Sequence, residues 1–121
     1  MDCKIRIAIV GSRDFKDAEV IRKTLDSFTY LNHEVEIITG GARGVDNIVE
    51  TFCKQIGLPC KIIRPINPAN KLDYLYRNVE IITLADKVIV FWDRKSRGSK
   101  FVIDYAKARG KDLEIIFEVK G

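Results

Sequence analysis

Ile37-Ile38-Thr39-Gly40-Gly41-Ala42-Arg43-Gly44-Val45-Asp46 passes from an apolar, β-branched run through a glycine-rich turn into helical spacing. The apolar residues beyond the turn, Val45, Ile48, Val49, Phe52 and Ile56, fall at i, i+3, i+4, i+7 and i+11. That is the stripe of an amphipathic helix. Gly57 follows, suited to the left-handed residue that ends a helix. Two other stretches share this strand–turn–helix design. One is Ile9-Val10-Gly11-Ser12-Arg13-Asp14-Phe15; the other is Val88-Ile89-Val90-Phe91-Trp92-Asp93-Arg94-Lys95-Ser96-Arg97-Gly98-Ser99.

The alternation extends along the whole chain. Strands are predicted at 4–10, 34–38, 60–64, 87–92 and 113–119, and helices at 17–28, 45–56, 71–84 and 99–109. The strands are nearly continuous apolar runs, as in parallel strands buried on both faces. The pattern predicts an α/β fold: a three-layer, Rossmann-like open parallel sheet of about five strands with helices on both faces. In such sheets ligands gather at the carboxyl ends of the strands, where strand order reverses. All three glycine-bearing turns follow strands.

With 121 residues and no linker or repeat, the chain reads as one domain over 1–121. That length supports a core without disulfide or metal staples. No apolar run approaches a membrane span, and Met1-Asp2-Cys3-Lys4 lacks an apolar leader, so a cytoplasmic location is expected. Cys3, Cys53 and Cys60 are an odd, unpatterned set and read as reduced thiols, mainly small core residues. The net charge of +4 is dispersed rather than clustered. His33, the only histidine, reads as a solvated turn residue. No Cys/His spacing suggests a metal, and neither metal nor cofactor is expected.

The turns carry the chemistry. Gly11, Gly40, Gly41, Gly44 and Gly98 allow close backbone approach to an anion. Arg13, Arg43 and Arg97 offer donor forks for phosphate, and Ser12, Ser96 and Ser99 offer hydroxyls. Helix N-termini add unpaired N–H groups and a positive dipole end. Asp46, in the first turn of its helix, either binds a ribose hydroxyl or complements the dipole. Asp93, just past a strand end, holds ribose or orients a water. Trp92 either stacks on a base or packs in the core. On the helix over 71–84, Leu72, Leu75, Val79 and Ile82 form the expected core stripe, with Asn78 at its border. Arg77 falls on the opposite face with Tyr74, Ile81 and Leu84. That face is apolar enough to suggest a second subunit, with Arg77 in or beside a site at the interface. Asp93, Asp46 and Arg77 are the candidate catalytic residues.

Val-Gly-Ser-Arg-Asp-Phe over 10–15, Thr-Gly-Gly-Ala-Arg-Gly-Val-Asp over 39–46, Arg77-Asn78, and Phe-Trp-Asp-x-x-Ser-Arg-Gly-Ser over 91–99 occur in that order. Together they resemble the small Rossmann-like domains of the SLOG superfamily, and within it the YspA-like group named for the domain of unknown function 2493 (DUF2493). The superfamily also holds LOG-type phosphoribohydrolases, the DNA-processing protein DprA and predicted sensors of nucleotide-derived signals. The resemblance implies a nucleotide-like ligand, held by a sensor or sequestering domain. Its alternatives are cleavage of a nucleotide N-glycosidic bond and binding of single-stranded nucleic acid. In LOG-type enzymes the loop after the fourth strand reads Pro-Gly-Gly-x-Gly-Thr-x-x-Glu. Aligning Gly98-Ser99 with its Gly-Thr puts Val102 where the glutamate acts, and valine moves no proton. LOG-like dimers share sites, so a homodimer or higher oligomer through the helix over 71–84 is expected. Nucleic acid is the less expected partner: the charge is dispersed, and Phe15, Tyr74, Tyr76, Trp92 and Phe101 form no stacking series. No membrane partner is expected.

Overall fold

Five strands pair in parallel: β1 (Ile5–Gly11), β2 (Val35–Thr39), β3 (Cys60–Ile62), β4 (Lys87–Trp92) and β5 (Asp112–Phe117). Their order is β3-β2-β1-β4-β5. The computed structural model describes residues 5–28, 34–41 and 44–118; Cys3, His33 and Arg43 lie outside them. Four helices connect the strands: α1 (Ala18–Ser27), α2 (Val45–Ile56), α3 (Lys71–Leu84) and α4 (Arg97–Ala108). This is the Rossmann-like α/β architecture expected from the alternation.

Side chains alternate across each strand, so a sheet with helices on both faces has two cores. Ile7 and Ile9 of β1, Ile37 of β2, and Ile89 and Phe91 of β4 face α1 and α2, where they meet Ile21, Leu25, Val45, Val49 and Cys53. Ala8 and Val10, Ile38, and Val88 and Val90 face α3 and α4, where they meet Ile81, Ile82, Val102, Ile103 and Ala106. Each isoleucine buried this way contributes roughly 1.5–3 kcal/mol relative to exposure. Cys53 is buried and Cys60 half-buried, both as free thiols. No helix among the described residues is long and apolar enough to cross a membrane.

The helix ends follow local chemistry. Asp17 accepts from Val20 N at 3.3 Å, and Asn70 from Leu72 N at 2.9 Å. Gly57 closes α2 in the left-handed conformation, φ 76°. α4 begins two residues earlier than its apolar spacing predicts, because Ser96 caps it through Ser99 N at 3.3 Å.

The apolar stripe expected on α3 is rotated. Leu72 is 57% and Leu75 36% exposed, whereas Arg77, Asn78, Ile81 and Ile82 are buried. The physical reason lies in what α3 covers. Its C-terminal half lies on the sheet and buries Ile81 and Ile82. Its N-terminal half borders an open cleft that also receives charged groups such as Arg13, Asp46 and Arg97. Arg77 therefore points into its own fold, not outward toward a second subunit.

Candidate functional site

Strand order reverses between β1 and β4, whose ends pair as Gly11 with Phe91. The chain leaves β1 for α1 on one face and β4 for α4 on the other, so the two connections part and a crevice opens above. A cavity of about 750 Å³ fills it. Five cationic side chains line it (Arg13, Lys71, Arg77, Lys95, Arg97), against three carboxylates (Asp14, Asp46, Asp93).

Its floor is a hydrogen-bonded hub. Ser12, 1% exposed, donates its hydroxyl to Asp93 Oδ1 at 3.1 Å and accepts from Asp93 N at 3.1 Å. With that proton committed, the Ser99 hydroxyl is the donor in the 3.3 Å contact between the two serines. Asp93 Oδ1 also accepts from Lys95 N at 2.9 Å and Ser96 N at 2.8 Å. This carboxylate-closed turn holds Arg94 at φ 71°, a left-handed position, with its guanidinium 3.8 Å from the Phe117 ring centre. Desolvation pushes the Asp93 carboxyl up. The hydrogen bonds from Ser96 N, Lys95 N, the Ser12 hydroxyl and its own N–H outweigh this, holding it below the ordinary carboxylate range. Its Oδ2 makes no hydrogen bond among the described residues.

α4 starts directly on this hub. The amides of Arg97 and Gly98 belong to the first helical turn and have no intrahelical acceptor. The other three helices carry an acid in the first turn, Glu19, Asp46 and Asp73; α4 carries none. The far side of Gly98 is open, with Ser96 Oγ 4.0 Å from where a Cβ would sit.

The β2–α2 turn is built differently. Arg77, 8% exposed, donates through Nη1 to Gly40 O at 2.6 Å and through Nε to Asn78 Oδ1 at 2.8 Å. A Cβ on Gly40 would come within 2.3 Å of Arg77 Nη1 and 3.0 Å of Asp46 Oδ2. Burial depresses the Arg77 pKa, and the neighbouring Asp46 charge counters that. Gly41 accepts from Arg64 Nη1 at 3.1 Å. A Cβ on Gly44, at φ 78°, would lie 2.5 Å from the Arg13 carbonyl oxygen; one on Gly11 would lie 2.5 Å from Val45 Cγ2. At each of these glycines a Cβ would meet the protein's own groups.

Of the site residues read from sequence, Gly11, Arg13, Asp46, Arg77, Asn78, Asp93, Ser96, Arg97, Gly98 and Ser99 line the cavity. Ser12 lies beneath them in the hub, and Gly40, Gly41 and Gly44 lie outside the lining. Trp92 also lies outside it, half-buried, donating Nε1–H to Ser96 O at 3.1 Å and tilted against Phe117. That hydrogen bond ties the ring to the capping residue of α4. Lys71, Tyr74 and Leu75 line the cavity without having been singled out as ligand-binding. The available signal was Asn70, whose capping places the first turns of α3.

No curated protein sequence matches this chain. Among solved structures, DNA processing protein A (DprA) from Streptococcus pneumoniae superposes with a TM-score of 0.80 at 21% identity, over 92% of this chain and 50% of that one. DNA processing protein A from Helicobacter pylori, described by its single-stranded DNA binding mode, gives 0.71 at 22% identity, over 92% and 64%. The structural-genomics target TM1055 gives 0.68 at 21% identity, over 90% and 72%. The chain thus spans about half the length of the first of these, and the likeness is one of fold. It overturns the expectation that nucleic acid is an unlikely partner, because that reading rested on dispersed charge, and a protein described as binding single-stranded DNA carries this same fold. Residues 5–66, more than half of the sequence, match the model of the YspA, cpYpsA-related SLOG family, and the chain belongs to that family.

Proposed function

We propose that the cavity binds a nucleotide or a nucleotide-derived phosphorylated metabolite, with its phosphate at the start of α4. The observation that carries this reading is the N-terminus of α4. It lacks an acid of its own and opens through Gly98 into a cavity with more cations than carboxylates. Phosphate oxygens would accept from the Arg97 and Gly98 amides, with Arg13 and Arg97 supplying charge. Asp93 Oδ2 would accept from a sugar hydroxyl.

Binding without N-glycosidic cleavage fits these residues better than hydrolysis. Val102, 2% exposed, lines the cavity where a proton-transferring side chain would be useful. Asp93 is held ionised, so it is an electrostatic partner and not a proton donor at neutral pH.

Calorimetry with a panel of nucleoside monophosphates, followed by chromatography for free base, tests the reading. Binding without base release is expected, with Arg13→Ala and Arg97→Ala each weakening it by about three- to tenfold. Absence of binding across the panel would overturn it.

The fold shared with the two DprA proteins favours a second reading, in which the phosphorylated group belongs to a strand of single-stranded nucleic acid. An oligonucleotide that binds more tightly than the monophosphate, with affinity falling steeply in salt, would select it.

A further inference from the structure

Arg77 and Asn78 occupy the inward face of α3 beside the cavity, 8% and 9% exposed. By shape alone the Asn78 amide fits either way round. Its neighbour removes the choice: Arg77 Nε–H donates to Asn78 Oδ1 at 2.8 Å, and a guanidinium only donates, so the oxygen must face it. Asn78 Nδ2 then makes no hydrogen bond among the described residues and brings two N–H groups to the cavity. Arg77 Nη1 is occupied by Gly40 O and Ile63 O, at 2.6 and 3.5 Å. Its Nη2 has no partner among the described residues. The Asp46 carboxylate lies beside Gly40, the residue whose carbonyl Nη1 contacts. The groups that Arg77 and Asn78 leave over are therefore donors, and the same cavity has apolar lining in Val10, Tyr74, Leu75 and Val102.

We infer that the base of a bound nucleotide lies against this lining and that Asn78, locked by Arg77, donates to its keto oxygen, selecting guanine or hypoxanthine over adenine. This rests on the nucleotide reading above. Along the N7/C6 edge guanine and hypoxanthine offer two acceptors, whereas adenine offers one acceptor and an amino donor. An amino group set against Asn78 Nδ2 leaves a buried N–H unpaired, and sites built to hydrogen-bond reject such partners strongly. Arg77 is here a positioning residue that fixes the amide's orientation.

The test is calorimetry of GMP, IMP, AMP and ribose 5-phosphate against the wild-type chain and Asn78→Asp. The aspartate still accepts from Arg77 Nε but presents an acceptor to the cavity. The wild type is expected to bind GMP and IMP about tenfold or more tighter than AMP. Asn78→Asp is expected to abolish or invert that order, leaving ribose 5-phosphate affinity changed by less than about threefold. Equal wild-type affinity for the three nucleotides overturns the inference whatever the variant does. So does an order unchanged in Asn78→Asp, or a loss as large for ribose 5-phosphate, which would place Asn78 on the phosphate. Wild-type binding of ribose 5-phosphate equal to that of GMP would show that no base is read, with the phosphate site intact. Failure of all four to bind the wild type breaks the nucleotide reading itself, and the inference falls with it.

Discussion

Two strand-to-helix junctions of one sheet solve opposite problems. The β2–α2 junction has the denser glycines, yet its space is taken by the Arg77 guanidinium, the Asp46 carboxylate, Arg64 and the Arg13 carbonyl. The β4–α4 junction has one glycine, Gly98, and that one opens on the cavity. At the first, an internal acid already sits in the first turn of the helix; at the second, no acid does. Glycine density here measures how tightly the backbone is packed, and the junction proposed to take the phosphate differs by what is missing: an acid in the first helical turn and a filled Cβ position.

The sharpest way to break this contrast is Gly44→Ala. Its φ of 78° and ψ of −123° suit glycine alone, and the new Cβ would press on a backbone oxygen that cannot rotate away. A loss of about 3 kcal/mol is expected in urea unfolding, from strain and overpacking together. A change below about 1 kcal/mol would mean that this junction yields easily.

Asp93→Asn probes the other junction and is expected to cost less, about 1 kcal/mol, as charge-assisted hydrogen bonds become neutral ones. The loss should depend on pH. The folded-state pKa of Asp93 is depressed, so its stabilisation is present above the ordinary value of about 3.9 and is lost as pH falls through the lower folded value. Urea midpoints for wild type and variant should differ by a constant amount from pH 7 down to about 4.5 and converge below about 3.9. A gap that widened on acidification would contradict the hub's geometry.

The smallest expected effect is Gly98→Ala. Nothing crowds that position, and alanine favours the helix, so stability should stay within about 0.5 kcal/mol or rise slightly. A cost like that of Gly44→Ala would erase the distinction between the junctions.

Much of the framework is readable from residue order. The periods of α2 and α3 and the apolar run of β4 give their bounds to the residue, because each ends at a turn or capping residue: Gly57, Asn70, Asp93. The inward face of α3 is not readable in the same way. Hydropathy assigns apolar residues to the inside, but the first half of this helix borders a charged cleft, so Leu72 is exposed and Leu75 lines the open cavity while Arg77 and Asn78 are buried. The glycine-rich turns are ambiguous for a related reason. A missing side chain signals close approach, and the sequence does not say whether the approaching group is a phosphate or an arginine from a helix 37 residues away.

The hub joining Ser12 to Asp93 bridges 81 residues of chain. A folding intermediate containing only β1 through β3 would have a partial sheet and one helical layer, but no floor for the cavity. Closing so long a loop is slow relative to forming neighbouring contacts. Formation of the cavity would therefore report the docking of β4 and α4 against β1, and binding at the proposed site would serve as an assay for complete maturation of the polypeptide.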